Sequence, residues 1–282
     1  MGSHPTRTRS WKSALLHMRF PFVFVLSPIF VWGAAWAPEP WSGRTGLGFL
    51  LVHLALYPGA NAYNSAFDRD EGPIGGLARP PVVPGGLAAA SAALQGLGAA
   101  LAPLVGWSFA AAYLGLWAIF TAYSHPRTRW KRSPVASTAA IVAGQGGLGF
   151  GLGWSAAGGG WPPGAAGGWA LGTAVGAVAA GYPWTQAYQI EEDRRRSDRT
   201  VAAAIGPRGT LLWAAAGTAL AAVSTWALGR EVLAAGFGVA AASAAVAAAA
   251  LPGGWTPSHR LVMTTLYAQS AIVLAYVVAF VH

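Results

Sequence analysis

Apolar residues run along this chain in blocks too long and too continuous for the amphipathic helices of a water-soluble protein. Stretches of the length needed to cross a bilayer, about 17 to 25 residues, recur at roughly 20–37, 45–67, 85–105, 107–124, 134–156, 166–189, 208–228, 231–251 and 260–281. The pattern predicts an all-α, polytopic membrane protein of about nine transmembrane helices bundled around a central cavity. Small-residue runs inside the blocks, such as "GLGFGLG", suit close helix packing. Residues 1–19 are read as a cytoplasmic N-terminal segment and 20–282 as a single membrane domain.

Charge placement supports this segmentation, because basic loops are retained on the cytoplasmic side. With the N-terminus inside, all of the 18 Lys and Arg residues except Arg44 and Arg230 fall on cytoplasmic segments. All nine acidic residues except Glu39 and Glu231 fall there too, which the rule for basic residues does not require. That grouping points to a polar site at the cytoplasmic ends of the helices. The composition agrees, with 54% apolar and 10% charged residues and a mean hydropathy of +0.44. A net charge of +9 raises a nucleic-acid partner, but its basic residues are divided among loops, where topology and anionic headgroups account for them. No nucleic acid is expected. The absence of cysteine excludes disulfides, thiolate metal sites and thiol nucleophiles. "MGSHPTRTRS" has no apolar core and is not read as a signal peptide.

One polar pattern occurs twice. "YPGANAYNSAFDRD" (57–70) and "YPWTQAYQIEEDRR" (182–195) align at an offset of 125 residues, giving an internal parallel pseudo-repeat. Asn61 and Asn64 correspond to Gln186 and Gln189, and Asp68 to Asp193. On a helix turning 100° per residue, Tyr57, Asn61, Asn64 and Asp68 fall within a wedge of about 60°, and Tyr63 points away. The second copy repeats the geometry with Tyr182, Gln186, Gln189 and Asp193. Stripes of this kind are costly against lipid and should face the bundle interior or a wet cavity. Pro58 and Pro183 suggest a bend where each stripe begins.

Beyond the stripes the acids multiply, with Asp68, Asp70 and Glu71 after the first and Glu191, Glu192, Asp193 and Asp198 around the second. Crowded carboxylates need a cation between them. Magnesium is the natural one, since it is commonly held by one or two carboxylates plus substrate phosphates. Arg127, Arg129, Lys131 and Arg132 lie nearby in "HPRTRWKR". Acids for metal and bases for phosphate oxygens at a membrane interface describe a lipid diphosphate site.

On these residues the sequence resembles the UbiA superfamily of intramembrane prenyltransferases. "NSAFDRDEG" (64–72) is similar to its Asn-Asp-x-x-Asp-x-x-x-Asp motif, and "QIEEDRRRSDRT" (189–200) to its Asp-x-x-x-Asp motif. "GGLARPPVVPGG" (75–86) and "YSHPRTRWKR" (123–132) resemble two further family segments. There are departures: Ser65, Gly72 and Gln189 stand where the family carries Asp. The resemblance implies that Asn64, Asp68, Gln189 and Asp193 anchor magnesium ions bridging to an isoprenyl diphosphate, with Asp70, Glu71, Glu192 and Asp198 assisting. It implies that Lys131, Arg132, Arg127 and Arg79 hold phosphate oxygens. Asn61 and Gln186 either join that site or hydrogen-bond between helices.

The implied activity is magnesium-dependent ionisation of a prenyl diphosphate and transfer of the prenyl group to a small aromatic acceptor. Two other readings stay open: an acceptor-free membrane terpene cyclase, and a transporter. His53 and His125 have no partners at metal-ligand spacing. "GQGGLG" (144–149) matches a dinucleotide-binding pattern but lies inside an apolar span, where helix packing explains it better.

Overall fold

The computed structural model describes residues 11–195, 199–252 and 255–281. Every named element among them is helical. Helix α1 (Trp11–His17) leads through Met18 and Arg19 into α2 (20–35). In order there follow α3 (43–68), α4 (Leu87–Leu104), α5 (Trp107–Ser124), α6 (Pro134–Ala156), α7 (Ala165–Gln186), α8 (Ile190–Arg195), α9 (Val201–Ala227), α10 (Glu231–Ala250) and α11 (His259–Phe280).

Among the described residues, six segments are long and apolar enough to cross a membrane: Trp11–Ala35, Leu87–Leu104, Pro134–Ala156, Val201–Ala227, Glu231–Ala250 and His259–Phe280. Helices α3, α5 and α7 fall outside that set although the apolar pattern marks them as spans. The reason is compositional: α3 ends in Asn61, Asn64 and Asp68, α5 carries Trp, Tyr and Ser, and α7 is rich in glycine with a polar end. Such residues lower mean hydropathy yet suit helices that face a polar cavity.

Helix starts follow local chemistry. Ser42, Ser133, Thr200 and Ser258 each accept a backbone N–H from the residue three positions on, a cap worth about 1 kcal/mol. Irregular turns follow Pro and Gly. In α3 a π-turn at Val52–Leu56 immediately precedes Pro58, whose ring and missing N–H oppose a regular α-turn there. In α7 Pro183 sits inside helix that continues to Gln186 before a 3-10 turn at Ala187–Gln189. The two prolines thus occupy unlike local geometry. Helix α9 breaks at Gly206, φ 71°, just before Pro207.

Glycine lets the helices meet at two crossings. A Cβ on Gly33 of α2 would collide with the Phe150 carbonyl of α6, and one on Gly153 with the Phe30 carbonyl. Gly176 of α7 and Gly217 of α9 are opposed in the same way. "GQGGLG" belongs to this packing: it overlaps a π-turn at Val142–Leu148, and Gly144 and Gly146 lie against Ile119 and Val175. Around these contacts Phe30, Tyr57, Phe109, Tyr113, Leu116, Phe150 and Leu152 are fully buried. Outward, large apolar side chains such as Trp107, Val135, Trp226 and Val232 are exposed.

The connection between α3 and α4 is pinned from three sides. Ser13 donates to the Val82 carbonyl (2.7 Å) and His17 Nε2 lies 3.0 Å from the Pro81 carbonyl oxygen. His259 Nε2 meets the Ile74 carbonyl (3.0 Å), and Gln189 donates to that of Pro73 (3.0 Å).

Candidate active site

One cavity of about 830 Å³ gathers the polar residues at a single end of the bundle. Asn61, Asn64, Asp68 and Asp70 reach it from α3 and its exit, and Gln186, Gln189 and Asp193 from α7, the 3-10 turn and α8. Lys131 and Arg132 enter from the short turn Trp130–Arg132 between α5 and α6. The two stripes, 125 residues apart in sequence, therefore border the same space.

The partners of these groups differ. Asp68 forms an ion pair with Lys131, the two side chains being only 8% and 14% exposed. Asn64 donates to Ser124 Oγ (3.2 Å), and Asn61 to the Met18 carbonyl (3.3 Å). Gln186 accepts from the Ala202 backbone N–H (3.3 Å), and Asp193 from the Thr200 hydroxyl (2.7 Å).

Four residues expected at the site do not line the cavity. Glu71, Arg79 and Arg127 are exposed, and Glu192 turns its carboxylate toward Gly72, where a Cβ would meet it. Asp198 lies outside the described residues. Two further arginines do line it: Arg19, 8% exposed and not expected there, and Arg129, which the sequence offers among the nearby bases. Arg19 donates to the Asn61 carbonyl (3.0 Å), and the Nε of each arginine is buried with no hydrogen-bond partner among the described residues. The signal for Arg19 was a single strong charge inside the apolar run "LLHMRFPFVFVL", which at membrane depth is a marker of function.

Among the described residues, the non-glycine residues with positive φ are Arg19 (52°), Arg69 (48°) and Arg129 (41°). The left-handed region costs an L-residue roughly 1–2 kcal/mol. Two of these residues line the cavity and the third follows Asp68, so the backbone strain concentrates around the polar end.

Deeper, the lining turns apolar and aromatic, with Trp32, Tyr57, Phe120, Tyr123, Tyr182 and Trp184. Tyr123 and Tyr182 share a hydrogen bond of 3.2 Å between their hydroxyls. Gly236 of α10 and Ile272 of α11 line the cavity and are also exposed.

Residues 25–280 match the model of the UbiA prenyltransferase family. This chain belongs to the UbiA prenyltransferase family. With six membrane-length apolar segments it is an integral membrane protein. No curated protein matches it. Among solved structures, a UbiA homolog from Archaeoglobus fulgidus bound to GPP and Mg2+ superimposes with a TM-score of 0.72 at 20% identity, covering 94% of this chain and 98% of that one. The same homolog bound to DMAPP and Mg2+ also gives 0.72, at 20% identity and with the same coverage. A structure described as a digeranylgeranylglyceryl phosphate synthase gives 0.60 at 16% identity, covering 94% of this chain and 95% of that one. These likenesses establish the UbiA fold.

The donor set of this UbiA family member suits a hard cation. Asn64, Asp68, Asp70, Gln189 and Asp193 all offer oxygen atoms to the cavity. Among the described residues no three His, Asp or Glu side chains form a ready cage. Magnesium does not need one, because it keeps waters and takes substrate phosphates beside one or two carboxylates.

Proposed function

We propose that this protein is an intramembrane prenyltransferase that ionises an isoprenyl diphosphate with magnesium and transfers the prenyl group to a small aromatic acceptor. The observation that carries the reading is that oxygen donors, cationic side chains and an aromatic channel border one cavity. The family match supports the reaction class, and the GPP and Mg2+ described for the fold neighbour support donor and cofactor. On this reading the segments 20–35, 43–68, 87–104, 107–124, 134–156, 165–186, 208–227, 231–250 and 259–280 are nine crossings, the two stripes are a parallel pseudo-repeat, and the polar end faces the cytoplasm beside residues 1–19. These form one catalytic domain from residue 20 onward.

Asn64, Asp68, Gln189 and Asp193 would hold magnesium, which when bound supplies positive charge to the departing diphosphate. Lys131, Arg132, Arg19 and Arg129 hold the phosphate oxygens and stabilise the negative charge that develops there. Tyr123, Tyr182, Trp184 and Tyr57 line the path of the prenyl chain and exclude water. Their ring faces attract the allylic cation left when the carbon–oxygen bond breaks. The acceptor's electron-rich carbon then bonds to that cation and loses its proton.

The same aromatic lining favours a second reading, an acceptor-free terpene cyclase. One experiment separates the two. Purified protein in lipid nanodiscs is offered geranyl, farnesyl and geranylgeranyl diphosphate with magnesium or EDTA, with and without aromatic acids and quinone precursors. Products are identified by mass spectrometry. Transfer requires magnesium and an acceptor, whereas a hydrocarbon formed from donor alone identifies the cyclase. Failure of every donor to bind in the presence of magnesium sinks both readings.

A further inference from the structure

The carboxylate that this reading assigns to the metal and the ammonium that it assigns to the phosphate oxygens form an ion pair with each other. Lys131 Nζ lies on Asp68 Oδ1, both side chains are nearly buried, and both line the cavity. The pair is held from rigid anchors. Asp68 closes α3 and is followed by Arg69 in a left-handed conformation. Lys131 sits in a turn that begins at left-handed Arg129. That turn is tied to the end of α5 by Arg129 N–H to the His125 carbonyl (2.8 Å) and by the Thr128 hydroxyl to the Ala122 carbonyl (2.7 Å). The backbone of Lys131 is thus fixed, while its four-carbon stem remains free to swing.

An ammonium and a divalent cation cannot occupy the same carboxylate oxygen at once. We propose that Lys131 is an interlock at Asp68, holding the carboxylate until a diphosphate draws the ammonium away and frees Asp68 for the metal. The proposal rests on the prenyl-diphosphate reading above and adds the order in which the site fills. Metal and diphosphate then bind cooperatively, each weakly alone. Removing the ammonium leaves Asp68 as an uncompensated buried charge, so the lysine's loss strengthens metal binding in the absence of diphosphate and weakens diphosphate binding.

The test is a Mn2+ titration followed by electron paramagnetic resonance on full-length protein in nanodiscs, without diphosphate. It is paired with calorimetric binding of geranyl S-thiolodiphosphate with and without Mg2+. Lys131→Gln should bind Mn2+ at least about 5-fold more tightly than the parent, within the usual range of couplings between sites. Lys131→Arg should match the parent, and Asp68→Asn in the Lys131→Gln background should abolish the gain. Thiolodiphosphate affinity should fall about 10-fold in Lys131→Gln. Unchanged or weaker Mn2+ binding in Lys131→Gln, or a gain that survives Asp68→Asn, overturns the interlock. If the thiolodiphosphate binds neither protein, the prenyl-diphosphate reading fails by itself, while the Mn2+ comparison still decides whether Lys131 competes at Asp68. Should Lys131→Gln fail to elute as a single species, Lys131→Met carries the same comparison.

Discussion

At the end of α3 Asp68 meets the ammonium of Lys131, whereas beyond α7 Asp193 meets the neutral hydroxyl of Thr200 at 2.7 Å. One stripe therefore ends in a compensated charge and the other in a hydrogen bond. The amides differ as well: Asn61 donates to a carbonyl of the α1–α2 link, while Gln186 accepts from the first turn of α9. Tyr63 stays away from the cavity, but Tyr188, its counterpart in the second stripe, lines it. Tyr188 lies in the 3-10 turn at Ala187–Gln189, whereas Tyr63 lies on regular α-helix. Similar residue lists on two helices make an asymmetric site because each is completed by different neighbours.

The largest expected effect tests whether both ends are needed. Asp68→Ala and Asp193→Ala should each lower magnesium-dependent diphosphate release by at least about 100-fold, the scale for losing a group that stabilises transition-state charge. Full activity in either variant would confine the chemistry to one stripe.

Stability should divide the two carboxylates. Removing one partner of a buried ion pair costs about 3–5 kcal/mol, so Asp68→Ala should lower the thermal midpoint more than Asp193→Ala. The reverse order would break the comparison.

Gln186→Ala strands the buried Ala202 N–H and should cost about 1–3 kcal/mol. Asn61→Ala, whose lost partner is a carbonyl of a link that also holds Arg19, should cost less; chemical denaturation of both variants measures the difference.

Thr200→Ala removes the cap of α9 and the donor to Asp193 together. A loss of about 0.5–2 kcal/mol is expected, with Thr200→Ser close to the parent. The smallest effect should come from Tyr63→Ala, which should leave donor affinity within about 2-fold, while Tyr188→Ala weakens it by about 10-fold, a difference near 1.4 kcal/mol. Equal effects would mean that the 3-10 turn does not separate the stripes.

Much of the cavity's polar lining is legible in the sequence. Asn61, Asn64, Asp68, Asp70, Lys131, Arg132, Gln186, Gln189 and Asp193 all line the cavity, because helical periodicity puts residues three and four apart on one face. Glu71, Arg79 and Arg127 have the right charge but lie on loop backbone whose direction no periodicity sets, and all three are exposed. Arg19 and Arg129 reach the cavity on left-handed backbone, a conformation that their neighbours in the sequence do not announce even where the lone charge of Arg19 stands out.

By itself the sequence determined the helical class, the apolar blocks and the two stripes, since local periodicity and the cost of polar groups in lipid act over a few turns of one helix. Only the tertiary structure decided that Lys131 faces Asp68, that Thr200 faces Asp193, that Arg19 turns into the cavity and that Tyr188 parts company with Tyr63. Each depends on how the chain turns after a helix ends or on which other segment packs beside it, and that is settled by the bundle as a whole and not by the periodicity of one helix.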